Sequence, residues 1–343
     1  MNRRIMCFIG LLLGIVFLVA TSTTATSAEF YKNKTLKLIV PFPPGGGWDT
    51  YARVAAKHIT KYVPGRPSII VQNVPGAGGL VGINFLYNRV KPDGLTIGMF
   101  QTTLAFLQLA GDTAVKFDVR KANWLGAFSN RVSVCVVRTD SPFKTIQDLI
   151  GSKEPMYSGA VSRGGGTFME PMLMNKILGT NIKVVSGYPG TSAIRLALRR
   201  GEVQGLCGWG WASVKSTGKD LLENGTIRIL LQIAHRREPD ISKDVPLITE
   251  MTPKDMMPLL NVYLIPRGVG WNMMLPPKVP QDRVKILQQA FDKTMKDPQF
   301  LADAEKVRLP IAPIKGEEIT QMFEQLFKEA TPKVITELKK IMY

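Results

Sequence analysis

The stretch VPFPPGGGWDTYARVAAKHI, residues 40–59, sets three prolines and three glycines between an apolar run and a helical pattern. Before the turn, Leu36-Lys37-Leu38-Ile39-Val40 reads as a short strand. After it, Tyr51, Val54, Ala55 and Ile59 recur at helical spacing. The stretch is therefore a strand-to-helix turn in which glycine frees the backbone just ahead of a helix N-terminus. The first amides of a helix have no acceptor within it and carry the positive end of its dipole. Such a turn suits an anion.

The same device recurs. PGAGGLVG at 75–82 follows a second strand, Ser68–Gln72, and opens a helix from Gly79. SRGGGT at 162–167 follows Pro155–Ser158, and GYPGTS at 187–192 follows Lys183–Ser186. Apolar strands thus alternate with helical patterns in two series. The first runs on through Thr96–Phe100; the second starts near Val132–Val137 and ends with Val203–Cys207 and Ile227–Ile233. This rhythm predicts an α/β fold with largely parallel sheets in two similar lobes. In open sheets of this kind ligands sit beyond the carboxyl ends of the strands. Four turns, two per lobe, are placed to converge on one anion. After His235 the texture changes to loops rich in proline and methionine and then to helices. Ile319, Met322, Phe323, Leu326 and Phe327 mark the apolar stripe of the clearest helix.

The N-terminus reads differently. Arg3 and Arg4 precede an apolar run, Ile5 to Ala20, and a small polar stretch to Ala28, the layout of a secretory signal cleaved after Ala28. Its removal would take the net charge from +17 to +15, because residues 1–28 hold those two arginines and no acid. Lys and Arg are scattered elsewhere, with no basic stripe interleaved with aromatics. Nucleic acid is not an expected partner, and the charge reads as attraction of anionic solutes. Cys135 and Cys207 could form one disulfide in an oxidising compartment but no framework, and two buried free thiols are the preferred reading. His58 and His235 are the only histidines, and neither lies near a cysteine at ligand spacing, so no metal site is expected. The chain has no G-x-S-x-G, no G-x-G-x-x-G and no G-x-x-x-x-G-K-[ST]. No residue set for catalysis and no cofactor is expected.

PFPPGGGWDTYAR (41–53), NVPGAGGLVG (73–82) with KPDGLTIG (91–98), SRGGGTFMEPML (162–173), GYPGTSAIRLALRRGEVQG (187–205) and PPKVP (276–280) come in one order over nearly all of residues 29–343. Together they resemble the solute receptors of tripartite tricarboxylate transporters, the Bug proteins. The resemblance implies a type II periplasmic-binding-protein fold: two α/β lobes, a two-strand hinge and a ligand cleft between them. It puts domain 1 at 29–128 plus 236–343 and domain 2 at 129–235. It implies a periplasmic receptor that captures a small carboxylate, a di- or tricarboxylate or an aromatic acid, and delivers it to membrane permease subunits without chemistry. A sensory receptor signalling to a membrane kinase is the alternative, and a secreted enzyme acting on anionic substrates a more distant one.

Carried onto this sequence, the first-lobe cradle is Phe42, Pro44, Gly45, Gly46, Gly47, Trp48 and Asp49, with Gly76, Ala77, Gly78 and Gly79 as a second helix N-terminus and Thr102 adding a hydroxyl. The second lobe offers Ser158, Ser162, Arg163, Gly165, Gly166, Thr167, Tyr188, Gly190 and Thr191. Arg163 is the one charge inside a cradle turn and is expected to pair with a carboxylate, the alternative being a solvent-facing side chain. Asp49 reads first as a helix residue paired with Arg53 four positions on. Two departures from the family pattern stand out. The loop after Val203–Cys207 reads Gly208-Trp209-Gly210-Trp211, without the acid that would hold an amine, and Glu170-Pro171 occupies the place of a usual histidine. Trp209 and Trp211 either cover an apolar ligand body or pack between the domains.

Overall fold

A computed structural model describes residues 29–343; the secretory signal read at residues 1–28 lies outside them. Eleven strands form two sheets. In the first, β1 (Thr35–Val40) lies between β2 (Ser68–Asn73) and β3 (Thr96–Gly98), parallel to both. The sheet continues through β10 (Asn272–Leu275), β4 (Asn123–Ala127) and β11 (Ile314–Lys315), each antiparallel to its neighbour. In the second, β6 (Met156–Ala160) lies between β7 (Ile182–Ser186) and β8 (Gly205–Gly210), parallel to both. There β5 (Ser133–Arg138) runs antiparallel to β8 and to β9 (Ile227–Ile233).

The two-lobe α/β fold is as read, but the sheets are mixed rather than largely parallel. The reason lies in the crossings. β4 ends at Ala127 in the first sheet and β5 begins at Ser133 in the second; β9 ends at Ile233, and the chain rejoins the first sheet at β10. The antiparallel pairings all involve strands that flank these passages or come after the return. A βα repeat gives no warning of them, and β4, β10 and β11 were not anticipated.

Local chemistry explains the parallel halves. Leu36, Leu38 and Val40 of β1 are all fully buried, and so is Ile39 at the carboxyl end, where helices cover both faces. Four of the parallel strands, β1, β2, β6 and β7, hand the chain to α1 (Gly47–Ala56), α2 (Leu80–Asn88), α3 (Gly166–Leu178) and α4 (Thr191–Arg200) respectively. The stripe at Ile319, Phe323 and Leu326 is buried in the helix Gly316–Glu329, as periodicity predicts. Cys135 on β5 and Cys207 on β8 are joined in a disulfide, which corrects the reading of two free thiols. A register shift in the β5–β8 pairing, between Val134 and Val136, brings the two cysteines opposite one another. Such a pairing of antiparallel neighbours has no trace in sequence spacing. Among the described residues, no helix is long and apolar enough to cross a membrane.

Candidate functional site

The turn before α1 is held by Asp49. Its Oδ2 accepts from the Gly45 amide at 3.0 Å and from Arg53 Nε at 2.9 Å, and its Oδ1 accepts from Asn73 Nδ2 at 3.0 Å. Asn73 Nδ2 also donates to the Phe42 carbonyl at 2.8 Å, which ties the start of the turn to β2. Gly45, at φ +82°, supplies the left-handed residue the turn requires. Burial pushes the Asp49 carboxyl up, but the hydrogen bonds from Arg53, Asn73 and Gly45 outweigh it and hold it below the ordinary carboxylate range. Asp49 is thus spent on shaping the cup, and the amides at the start of α1 are left facing outward.

Three helix N-termini meet in space. Gly46, Gly47 and Trp48 open α1; Gly165, Gly166 and Thr167 open α3; Gly190, Thr191 and Ser192 open α4; all nine line one cavity. The lobes are in contact around it. A Cβ on Gly47 would fall 2.0 Å from Ser213 Oγ of the second sheet's lobe, and one on Gly190 would lie 3.3 Å from Pro43 Cδ of the first. Thr103 Oγ1 donates to the Gly164 carbonyl at 2.6 Å, and Arg195 Nη2 to the Gly45 carbonyl at 3.4 Å. The two lobes thus meet around a cavity of about 40 Å³.

Phe42, Pro43 and Val161 complete the apolar wall, with the Phe42 ring stacked on Trp48 at 5.7 Å between centroids. The polar remainder is Gln101 and Arg131. Arg131 sits between β4 and β5, where the chain crosses from one sheet to the other, and is 7% exposed. Its Nη1 reaches Gln101 Oε1 at 3.4 Å and its Nη2 the Gly208 carbonyl at 3.5 Å, both long contacts, while its Nε has no hydrogen-bond partner among the described residues. Behind it lies Glu170 of α3, fully buried, whose Oε1 meets Arg267 Nη2 at 2.6 Å and whose Oε2 accepts from Ser133 Oγ at 2.6 Å. Burial, with the Arg267 guanidinium as a second cause, lowers the Arg131 group to about 9, so it is charged at neutral pH.

The sequence of this chain matches the family signature described as tripartite tricarboxylate transporter family receptor, TctC, over residues 51–336. The chain belongs to the TctC family. A UPF0065 protein from Agrobacterium vitis is 25% identical over 356 residues, covering 99% of this chain and 93% of the relative. Among solved structures, MatC from Rhodopseudomonas palustris with bound malate superposes with a TM-score of 0.67 at 18% identity, covering 90% of this chain and 99% of MatC. Another R. palustris protein, with adipate, gives 0.69 at 18% identity, covering 90% and 97%.

Against this TctC frame, the anticipated residues divide. Phe42, Gly46, Gly47, Trp48, Gly165, Gly166, Thr167, Gly190 and Thr191 share the cavity. Pro44 and Gly45 are exposed at its edge, and Asp49 braces it from behind. The Gly76–Gly79 turn makes the lobe contact instead: a Cβ on Gly78 would sit 2.3 Å from Ser162 Oγ and 3.2 Å from the Gly165 amide. Ala77 at φ +46° belongs to the same tight turn. Thr102 is buried beside Gln101 without lining the cavity. Ser158 Oγ accepts from the Cys207 amide at 3.2 Å inside the second sheet. The Tyr188 ring lies 3.4 Å from where a Cβ on Gly159 would be.

Arg163 is exposed and lies over the Tyr343 ring, 5.6 Å from its centroid, outside the cavity. The turn presents its amides inward, which leaves this side chain pointing out. Trp209 is 1% exposed in the core of the second lobe, and the Trp211 indole donates to Asp240 Oδ1 at 2.7 Å. Trp209, on β8, therefore fits neither a lid over the ligand nor packing between the domains, because its strand buries it within its own lobe, and Trp211 follows just past the end of β8. Pro43 lies inside the Phe42–Asp49 cradle and Ser192 inside the GYPGTS turn, whereas Gln101, Arg131 and Val161 were not read from the sequence. The available signal was an arginine in the segment that links the two series, at a position where a hinge would run.

Proposed function

We propose that this TctC-family protein is a periplasmic receptor that captures a small carboxylate in the cleft and presents it to the permease subunits of a tripartite transporter. The observation that carries the reading is the convergence of three helix N-termini, from both lobes, on a closed cavity whose lining contains no acidic side chain. Outward amides, helix dipoles and one guanidinium make a site of donors and positive potential, which only an anion satisfies. In a water-excluded cleft these dipoles count for more than in water. Family membership supports the receptor role, and the bound malate and adipate of the two structural relatives support the ligand class.

Residues 29–128 with 236–343 would move as one lobe and 129–235 as the other, the ligand held by the α1, α3 and α4 amides and bridging the closed form. The lining offers hydroxyls, an amide and a guanidinium but no carboxylate, imidazole or thiol to act as a base or strong nucleophile. Capture without turnover is therefore the function inferred, in the compartment that a secretory signal at 1–28 would reach. The test is a thermal-shift panel of residues 29–343 against dicarboxylates, aromatic acids, amino acids and phosphorylated metabolites. A carboxylate at about 100 times its Kd should add about 2.7 kcal/mol and raise Tm by several degrees. A response confined to phosphates or amino acids would refute the carboxylate assignment.

A further inference from the structure

Charge balance in the cleft wall is uneven. Arg131, Arg267 and Glu170 are all within the buried interior, at 7%, 1% and 0% exposure. Glu170 is engaged by Arg267 at 2.6 Å, with both side chains at 0% exposure, and Arg131 has no ion pair among the described residues. Two guanidiniums and one carboxylate leave one positive charge in excess. An uncompensated charge in a dry interior is costly, and buried charges are ordinarily paired.

The donors are in surplus as well. Among the described residues, Arg131 Nε and the Arg267 Nε and Nη1 atoms have no acceptor, the two side-chain hydrogen bonds of Arg131 are long, and its guanidinium otherwise lies over the Trp271 ring, 5.7 Å from the centroid. Gly166 stands where these groups meet. A Cβ there would lie 3.3 Å from Glu170 Oε1, 3.6 Å from Arg131 Nη2 and 3.7 Å from Arg267 Nη1. The opening of α3 and the Arg131 guanidinium therefore address the same spot, and of the two arginines Arg131 is the one that lines the cavity. Its neighbour in the lining, Gln101, accepts from Arg131 through Oε1, so its amide nitrogen is the group that can donate to a ligand oxygen.

We propose that Arg131 is the anchor for the ligand's carboxylate: the bound acid supplies the negative charge that this buried cluster lacks, and the site thereby selects acids and rejects ligands that bring a cation to the same end. The inference rests on the carboxylate-receptor reading above and names the residue and the chemistry that would set its selectivity. A guanidinium suits the role because it can meet both carboxylate oxygens at once. The apolar wall of Phe42, Pro43, Trp48 and Val161 then faces the body of the ligand, and no acid is present in the lining to hold an ammonium group. A 2-amino acid would set its cation beside Arg131 without compensation.

Calorimetric titration of residues 29–343, wild type, Arg131→Gln and Arg131→Lys, with C4 to C6 dicarboxylates and benzoate tests this, each hit being repeated with its monoamide. The wild type should bind an acid at least tenfold more tightly than the corresponding amide. Arg131→Gln should lose at least tenfold in affinity for the acid and lose the preference, while its ligand-free Tm stays level or rises, since an unpaired buried charge has gone. Arg131→Lys, which keeps the charge without the fork, should fall between. Retained affinity within twofold in Arg131→Gln, or equal binding of acid and amide by the wild type, would overturn the anchor while leaving the receptor reading intact. A lowered ligand-free Tm with unchanged affinity would make Arg131 a structural residue. If Arg131→Gln does not fold, Arg131→Lys decides: affinity and acid-to-amide ratio both unchanged there would overturn the anchor. A wild type silent to every acid would remove both the anchor and the receptor reading.

Discussion

Two glycine-rich turns of the first lobe, Phe42–Asp49 and Gly76–Gly79, are alike in sequence and different in use. Each follows a parallel strand and opens a helix, and each uses glycine at positive φ, Gly45 at +82° in one and Gly78 at +66° in the other. The first offers Gly46, Gly47 and Trp48 to the cavity. Gly47 of the first also lies against Ser213 of the opposite lobe, whereas the second presses Gly78 on Ser162 and Gly165 and lines no part of the cavity. What a cradle turn does is decided by what the facing lobe sets against it. The turn's own chemistry decides only that it can approach something closely.

That comparison can be broken at several points. The largest effect should come from Asp49→Ala, which removes the acceptor of three hydrogen bonds from a buried position. A loss of about 2–3 kcal/mol in urea unfolding is expected, because hydrogen bonds to a charged acceptor are the stronger kind and three are lost together. The pH dependence has a definite sign. Asp49 has its carboxyl depressed in the folded state, so its contribution is present above the ordinary carboxylate pKa and is lost as pH falls through the lower, folded value. Asp49→Asn should flatten that part of the acid limb, and an unchanged limb would show that Asp49 does not hold the turn.

Gly78→Ala should come next. A left-handed backbone and a Cβ at 2.3 Å from Ser162 Oγ together cost about 1–3 kcal/mol in the closed form. The open form escapes the contact, so the loss should show as weaker binding and as a smaller contraction on adding ligand in small-angle scattering. Gly46→Ala, by contrast, meets only Thr191 Oγ1 at 3.5 Å and has an extended backbone, so affinity should stay within about 0.5 kcal/mol. Equal effects at the two glycines would erase the distinction between closure turn and lining turn. The smallest effect is expected from Arg163→Ala: the side chain is exposed over Tyr343, and carboxylate affinity should change by less than about 0.5 kcal/mol. A tenfold loss there would return Arg163 to the site.

Much of the lobe plan was legible because it is local. Strand, turn and helix at Leu36–Val40, Phe42–Asp49 and Tyr51–Ile59 follow from apolar spacing, glycine at positive φ and the N-terminal amides, all within 24 residues of chain. The Asp49–Arg53 pair was readable for the same reason, being one helical turn apart. Arg163 misled because a charge inside a glycine turn looks aimed at the ligand, whereas such turns point their amides inward. Trp209 beside glycines reads either as a cover for the ligand or as packing between domains, whereas β8 buries it in its own lobe.

The sequence by itself determined the repeating strand–turn–helix units, their number per lobe and the anion-seeking chemistry of their ends, since each depends on residues that are neighbours along the chain. The tertiary structure alone decided which turns line the cavity and which close it, the bond between Cys135 and Cys207, and the meeting of Arg131, Glu170 and Arg267 behind the α3 N-terminus. Those depend on the register of antiparallel strands and on two chain crossings between sheets. Burial and electrostatics act there through distances in space, and those distances leave no periodic mark on the chain.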